Sequence, residues 1–301
     1  MKRGKKVKRA RLGKMIFFTL ILIAALNFMK LYDINLISSE KMKEIQNVVD
    51  ETSIGKIQVN WKDVAAIASV EYAPDTMTKQ EIEKTANLFI EKKETQYRLK
   101  EIDEVIEALA YSEKQKKEVN AYLKYLNAEG SSSNLENKDS LQVSFISSIK
   151  EGAIDNYNEY GILPSITIAQ AILESGWGKS KLSVKYNNIF GIKSYNWDGK
   201  SANISTSEFH EENIQADFRV YDTISDSLQD HSVFLTENPR YEENGLFSAK
   251  TYSEQATALQ EAGYSTIENE AGEKIYSELL IELIRQHQLQ LIDSEAHLGH
   301  G

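Results

Sequence analysis

The sequence predicts a mainly α-helical protein with one small β-hairpin lobe, and three observations lead to this fold class. Apolar residues recur at helical spacing over residues 40 to 128 and again beyond residue 141. Residues 203 to 221 instead alternate apolar and polar side chains, as in half-buried strands. An apolar run over residues 15 to 31 adds a predicted N-terminal membrane helix.

The N terminus combines a basic tail with this apolar run. The first 14 residues hold eight of the 35 basic residues and no acidic one. The run is shorter than the ~20 residues of a typical spanning helix, so a secretory signal and a short signal anchor both fit. Poor small-x-small spacing after Ala24 and Ala25 favours the uncleaved anchor. The positive-inside rule predicts a single-pass protein of the cell membrane with its C-terminal part outside, on the cell-wall side.

Charge and cysteine content exclude several classes of protein. Beyond the basic tail, 27 basic and 45 acidic residues give a formal charge of -18, so we expect no nucleic-acid partner. The absence of cysteine excludes disulfides, thiol nucleophiles and thiolate metal sites. Because the five histidines lack metal-binding spacing, we expect no metal, and nothing calls for an organic cofactor. The oligomeric state is left open.

A polar, Ser-rich segment divides the exported part in two. The predicted divisions are a cytoplasmic basic tail (1–14), a signal anchor (15–31), a small helical module (32–128), a Ser-rich linker (129–141), a second domain (142–293) and a disordered tail (294–301).

The second domain begins with two predicted helices. Phe145 to Tyr157 carry one apolar stripe that ends near Gly161. A second helix starts at Pro164 and Ser165, with Ser165 as a plausible N-cap, and stops at Gly176.

Glu174 therefore lies in the last turn of the second helix. The negative end of the helix dipole and the flanking Leu173 and Trp177 should both raise the pKa of its carboxyl group. A raised pKa suits a general acid at neutral pH, although a solvated residue at a helix end would satisfy the same position. A hairpin turning through His210 to Asn213 follows, and helical spacing returns from Ile224 and Ile275.

Three ordered motifs carry a resemblance to a known family. SITIAQAILESGWGKS, YNNIFGIK and ADFRVYDTISDSLQDHSVFL closely resemble the glucosaminidase domains of glycoside hydrolase family 73, over residues 142 to 292. The resemblance implies an α+β lysozyme-like catalytic domain that hydrolyses the β-1,4 bond after N-acetylglucosamine in peptidoglycan glycan strands. It also implies that Glu174, in the ESGWG block, is the general acid.

A glycosidase needs a second carboxylate, or a group of the substrate, to complete hydrolysis. Glu208 is the candidate, because the resemblance implies an acidic residue on the β-lobe at this point. Glu211, Asp217 and Asp222 are local alternatives, and the acetamido group of the sugar could assist instead.

Aromatic faces and polar groups should bind the sugar. The candidates are Tyr221, Tyr264, Trp177, Asn188 and Phe190. Each could instead be a core aromatic or, for Asn188, a residue that satisfies backbone groups. Tyr264 lies in AGYST, which resembles the AGYAT block of the family, but Ile267 and Glu268 replace the Asp-Pro that often follows there.

The whole sequence thus predicts a membrane-anchored endo-β-N-acetylglucosaminidase for cell-wall remodelling or autolysis. Its partners would be peptidoglycan glycan strands and, through residues 15–31, the cytoplasmic membrane. A non-catalytic wall-binding or scaffold protein is the alternative. The helix over residues 59 to 72 ends with Glu71 beside Tyr72, which leaves open a second lysozyme-like site, but the short module fits a packing or spacer role better.

Overall fold

The computed structural model describes residues 34–132, 141–208 and 212–299. The first part contains the helices α1 (Ser39–Ser53), α2 (Trp61–Glu71), α3 (Lys79–Leu88), α4 (Ile102–Ala108) and α5 (Glu113–Ser132), with the strands β1 (Ile90–Lys93) and β2 (Gln96–Leu99). The second part contains α6 (Leu141–Tyr160), α7 (Pro164–Ser175), α8 (Lys181–Tyr186), β3 (Ser201–Glu208), β4 (Glu212–Arg219), α9 (Ile224–Glu237), α10 (Pro239–Glu243), α11 (Tyr252–Glu261), α12 (Tyr276–His287) and α13 (Gln290–Leu298).

The mainly helical fold with a small hairpin is confirmed. The basic tail and the apolar run of residues 15–31 lie outside the described residues. Within the three described ranges, no helix combines the length and apolar character needed to cross a membrane. The predicted hairpin is formed by β3 and β4, although Asn213 already belongs to β4 rather than to the turn.

The first part, residues 34–132, has a hydrophobic core of its own around α2. Val64, Ile67 and Ala68, which carry the predicted apolar stripe, are fully buried there. This part also contains the hairpin β1–β2, which the sequence did not predict. Its strands are only four residues long and largely charged, so they show no clear alternation.

The core of the second part surrounds α7, whose residues from Pro164 to Ile172 are all buried. Pro164 occupies the first helical position, where its missing N–H costs no hydrogen bond, and Leu163 is the N-cap. The prediction of Ser165 as the N-cap is therefore wrong. Ser165 lies inside the first turn, and its N–H and hydroxyl donate to Asp293 of α13 at 2.8 and 2.6 Å.

Two predicted boundaries also differ from the structure. The tail from Ser294 was predicted to be disordered, but α13 continues to Leu298, because Ala296 is buried and Leu298 packs on the core of the first part. The predicted linker begins inside α5, which extends to Ser132. The remaining linker residues, 133–140, lie outside the described ranges.

The two parts are joined through a buried polar cluster. Asp50 of α1 accepts hydrogen bonds from the Tyr252 hydroxyl at 2.6 Å and from the Arg285 guanidinium at 3.1 Å. Arg285 also donates to the Tyr252 hydroxyl at 2.9 Å. Burial raises the pKa of Asp50, while its bonds to Tyr252 and its contact with Arg285 oppose that shift. Since breaking such a cluster exposes or orphans several buried groups, the first part is a docked module and not a loose spacer.

Candidate active site

A cavity of about 390 Å³ opens at the C-terminal end of α7. Its lining includes Glu174, Phe190, Gly191, Ile192, Lys193, Tyr195, Arg219, Phe234, Arg240, Tyr241, Tyr264 and Ser265. Among these residues Glu174 is the only carboxylate. The volume lies within the range of ~300 to 1,000 Å³ that is typical of ligand pockets.

The glycine turn after α7 presents Glu174 to this cavity. Gly176 is the C-cap of α7, which ends at Ser175. It adopts the left-handed conformation, with φ of 56°, and its N–H donates to the Ile172 carbonyl. Gly178 also has a positive φ, of 71°, and a Cβ there would lie 2.7 Å from the Phe145 ring. Backbone geometry therefore favours glycine at both glycine positions of the ESGWG sequence.

Among the residues that the structure describes, one donates a hydrogen bond to the carboxylate of Glu174. The Tyr276 hydroxyl donates to Glu174 Oε1 at 3.1 Å, and it accepts a bond from Gln170 Nε2 at 3.1 Å. Gln170 and Glu174 lie one turn apart on the same face of α7, so the Tyr276 hydroxyl can bridge their side chains.

Surrounding protein atoms raise the pKa of Glu174, and desolvation is the main cause. The bond from Tyr276 acts in the opposite direction, because it stabilises the charged form. Glu174 is exposed to the cavity opening, so water limits the size of the increase. The predicted direction is confirmed, and a carboxyl group with a raised pKa beside a pocket can deliver a proton to a bound substrate.

Aromatic rings form the wall beside Glu174. Tyr264 stacks on Tyr276 with ring centroids 5.3 Å apart, and its hydroxyl lies 3.2 Å from His231 Nε2. The His231 ring in turn stacks on Phe190 at 3.8 Å. His231 is fully buried, which lowers its pKa to about 3, so it is neutral at physiological pH and supports the wall without adding charge.

The YNNIFGIK segment joins the cavity floor to the base of the hairpin. The Asn188 amide donates to the carbonyls of Ile192 and Arg219, at 3.0 and 2.9 Å, and its oxygen accepts the Ile192 N–H. Asn187, with φ of 53°, donates to the Tyr221 carbonyl at 3.1 Å. These bonds hold the end of β4 against the loop that carries Phe190.

Arg219, at the end of β4, lines the cavity and is fixed from behind. Its guanidinium contacts both oxygens of Asp230, at 2.7 and 2.8 Å, and lies 4.4 Å from the centre of the Trp197 ring. The Tyr221 hydroxyl donates to the same carboxylate at 2.5 Å. These contacts fix the Arg219 guanidinium at the rim of the cavity, and the Asp230 carboxylate compensates its charge.

The predicted substrate-binding residues divide into two groups. Phe190 and Tyr264 line the cavity together with Glu174. Tyr221 and Asn188 do not line it, because they are buried, 6% and 1% exposed, and their polar groups bond within the protein. Trp177 also lies outside the lining, with its ring between those of Phe145 and His287.

Glu208 is the last residue of β3, where it pairs with Glu212. The contacts of its side chain, and all of Glu211, lie outside the described part, so the role of Glu208 stays a prediction. From the hairpin base at Ser201 to Glu208 the strand extends about 23 Å at ~3.3 Å per residue. Of the alternatives, Asp217 bonds to Asn203, whereas Asp222 pairs with Lys200 at the surface.

Sequence reasoning missed four residues that shape the site, namely Tyr276, Arg240, His231 and Asp230. Each lies in a helix, at least 56 positions after Glu174, and looks like an ordinary amphipathic-helix residue. For Tyr276, the one available signal was its position at the start of a predicted helix shortly after the AGYST segment. Its meaning depends on the contact between α7 and α12, which the sequence does not reveal.

Comparison with known proteins shows which family the second domain resembles. Residues 150–289 match the glucosaminidase family model, described as mannosyl-glycoprotein endo-beta-N-acetylglucosaminidase. The chain is 41% identical over 128 residues to exo-glucosaminidase LytG of Bacillus subtilis, which covers 40% of this chain and 45% of LytG. It is 35% identical over 161 residues to a probable N-acetylmuramidase of Lactococcus lactis, with 52% and 36% covered.

A solved structure agrees in sequence over nearly its whole length. The catalytic domain of the autolysin Auto from Listeria monocytogenes is 32% identical, with 56% of this chain and 96% of that domain covered and a TM-score of 0.46. The chain spans less than half the length of the two curated relatives named above. On the family match and the identity to LytG, residues 150–289 of this chain form a domain of the glucosaminidase family of glycoside hydrolases, glycoside hydrolase family 73.

Proposed function

We propose that this protein is a membrane-anchored peptidoglycan hydrolase that cleaves the β-1,4 bond after N-acetylglucosamine within glycan strands. The observation that carries the proposal is Glu174, a carboxyl group with a raised pKa at the opening of a cavity with aromatic walls. Tyr264 and Phe190 supply apolar surface for a pyranose ring, and Arg219 and Arg240 supply donors at the rim.

In the proposed mechanism, protonated Glu174 donates its proton to the glycosidic oxygen as the bond to the leaving sugar breaks. Tyr276 then stabilises the carboxylate that remains, through the hydrogen bond it already makes. Water attacks the anomeric carbon, either activated by Glu208 or after initial attack by the substrate's acetamido oxygen. An inverting reaction through Glu208 would require the hairpin to bring that residue to ~6.5 to 9.5 Å from Glu174.

The anchor part of the proposal depends on residues 15–31 and the preceding basic tail. An enzyme held in this way would act on the wall next to the membrane. Deleting residues 1–31 should release the activity into the medium, as measured by fractionation. Continued retention in the membrane fraction would assign the anchoring to another segment.

The alternatives have weaker support. A scaffold without catalysis has no need of a carboxyl group aligned by Gln170 and Tyr276. A second hydrolase site at Glu71 has no support from the two cavities of the described residues, since Glu71 is exposed at the end of α2 and lines neither of them. The name of the Lactococcus relative makes cleavage after N-acetylmuramic acid the competing bond specificity.

The test is to incubate the purified full chain in neutral detergent with peptidoglycan and to identify new reducing ends by mass spectrometry. Reducing N-acetylglucosamine ends are the expected product. They should disappear in Glu174→Gln, and they should persist in the matched control Glu261→Gln, which changes an exposed residue at the end of α11.

Two outcomes would contradict the proposal. Reducing N-acetylmuramic acid ends would show muramidase specificity. Sedimentation with the wall but no new ends, from a protein with an intact Glu174, would favour the scaffold. Glu208→Gln, assayed beside them, separates the two mechanisms, because substrate assistance predicts a much smaller loss of rate than water activation by Glu208.

A further inference from the structure

A second, larger cavity lies between the two parts of the molecule. It has a volume of about 610 Å³ and is lined by residues of both parts. The first part contributes Lys56, the β1–β2 turn region and Arg98, and the second contributes Tyr157 and Lys250. Neither the predicted reaction nor the family match assigns it a role.

The lining of this cavity is cationic, although the chain beyond residue 14 carries a net negative charge. Lys56, Lys93, Arg98 and Lys250 face it, and none of its lining residues is a carboxylate. Concentrating basic side chains in one cleft of an acidic chain creates a local positive potential, which attracts anions. The remainder of the surface would repel the same anions.

Two of these cations have no carboxylate partner in the described ranges. Lys56 Nζ donates to the neutral amide oxygen of Asn87 at 3.1 Å, and Lys250 forms no ion pair there. Lys93 lies 3.7 Å from Glu91. Arg98 is already occupied, because its guanidinium contacts Glu91 at 2.8 Å and Glu104 at 2.7 Å.

Hydrogen bonds between the two parts join the segments that carry Lys56 and Lys250. The Gln58 N–H donates to the Lys250 carbonyl at 3.2 Å, two residues after Lys56. The Gly55 N–H, one residue before Lys56, donates to Glu254 of α11 at 3.0 Å. The loop that carries Lys56 is thus bonded to the segment that carries Lys250, and both lysines line the same cavity.

These features distinguish phosphate from carboxylate as the ligand. Carboxylates are bound best by the planar fork of an arginine, but the fork of Arg98 is filled by Glu91 and Glu104. The available donors are lysine ammonium groups, which bind phosphate as point charges. A concave cavity also suits a flexible chain or a small group better than the flat surface of a bilayer.

We propose that this cavity binds phosphate groups of a polyol-phosphate polymer, that is, an anionic chain of the cell wall linked by phosphodiesters. Binding would hold the acidic enzyme at an anionic wall that otherwise repels it. It would also give the first part of the molecule a function, since nine of the 13 lining residues belong to it. Recognition here is separate from hydrolysis at Glu174, so the binding test stands whether or not the proposed reaction is correct.

The experiment is calorimetric titration of the full chain, in neutral detergent at low salt, with a defined glycerol-phosphate oligomer and with inorganic phosphate. We expect the oligomer to bind, and to bind more tightly than inorganic phosphate because several of its groups can engage. The double variant Lys56→Gln/Lys250→Gln should weaken oligomer binding by about tenfold or more, since it removes two charge-assisted contacts at once.

A matched control removes the same charge elsewhere. Lys43→Gln/Lys117→Gln changes two exposed lysines of the first part that do not line the cavity, and it should retain wild-type binding. If both double variants weakened binding equally, net charge alone would explain the effect, and the proposed site would be rejected. Failure of the oligomer to bind, or its displacement by an excess of a carboxylate polymer of equal charge, would also overturn it. Binding to anionic but not to neutral vesicles, without oligomer binding, would assign the cavity to lipid headgroups instead.

Discussion

Tyr276→Phe tests the electrostatics around Glu174 most directly. The substitution keeps the ring that stacks on Tyr264 and removes only the hydroxyl that donates to Glu174 at 3.1 Å. That bond favours the carboxylate, so its loss should raise the pKa of Glu174 further above the ordinary value. Because the proposed reaction needs protonated Glu174, the alkaline limb of its pH–rate profile should move to higher pH.

The size of the shift follows from the hydrogen bond. A hydrogen bond to a charged group contributes ~1.5 to 3 kcal/mol when desolvated, and one pKa unit equals ~1.4 kcal/mol. Glu174 is exposed to the cavity, and water can replace part of the lost bond, so we expect a shift of about 0.5 to 1 unit. The variant also leaves the buried amide of Gln170 without its acceptor, which should cost about 1 kcal/mol of stability.

The assay is the pH dependence of kcat/KM on solubilised glycan strands, measured with Tyr276→Phe and with Tyr252→Phe. Tyr252→Phe removes a comparable buried hydroxyl at the junction of the two parts. Tyr252 does not line the cavity, so this control should lose stability without moving the alkaline limb. An alkaline limb that stays in place or moves to lower pH in Tyr276→Phe would refute the assignment of Glu174 as the acid that Tyr276 modulates.

Two further predictions concern stability. Burial raises the pKa of Asp293 to about 7, so its protonated form is favoured in the folded state, and this group makes the protein less stable as pH rises from about 4 to 7. Asp293→Asn should flatten that part of the thermal-unfolding profile, and an unchanged slope would exclude Asp293 as its source. Gly178→Ala should lower the free energy of unfolding by about 1 to 3 kcal/mol, since its Cβ would meet the Phe145 ring at a positive φ. Gly272→Ala, where φ is 77° and no atom lies within 4 Å, should show only the smaller backbone penalty in the same denaturant titration, and equal losses would contradict the steric explanation.

The parts of the site that are local in sequence were predicted correctly. Gly176 ends α7 in the left-handed conformation, which places Glu174 in the last turn, as the ESGWG sequence indicates. Phe190 and Tyr264 line the same cavity as Glu174, while their role in sugar binding stays a prediction. Such features depend on backbone conformation within a few residues or on motifs that carry their own context.

The predictions that differ from the structure involve residues whose surroundings are set by tertiary packing. Ser165 satisfies the requirements of an N-cap, but Pro164 takes the first helical position and Asp293, 128 residues away, accepts the Ser165 N–H instead. Tyr221 has the composition of a sugar-binding residue, yet Asp230 and the hairpin base bury it. In both cases the residue type allows several roles, and the packing of other elements selects one.

The sequence by itself determined the helical class, the hairpin, the glycine turn and the position of Glu174 in the last turn of α7, because periodicity, turn chemistry and short motifs act over a few residues. Only the tertiary structure decided which groups surround that acid and how the first part is attached. The bond from Tyr276 joins residues 102 positions apart, and the contact of Arg285 with Asp50 joins residues 235 positions apart. Contacts at such separations form when whole apolar faces pack together, and no local pattern specifies which polar groups will then meet.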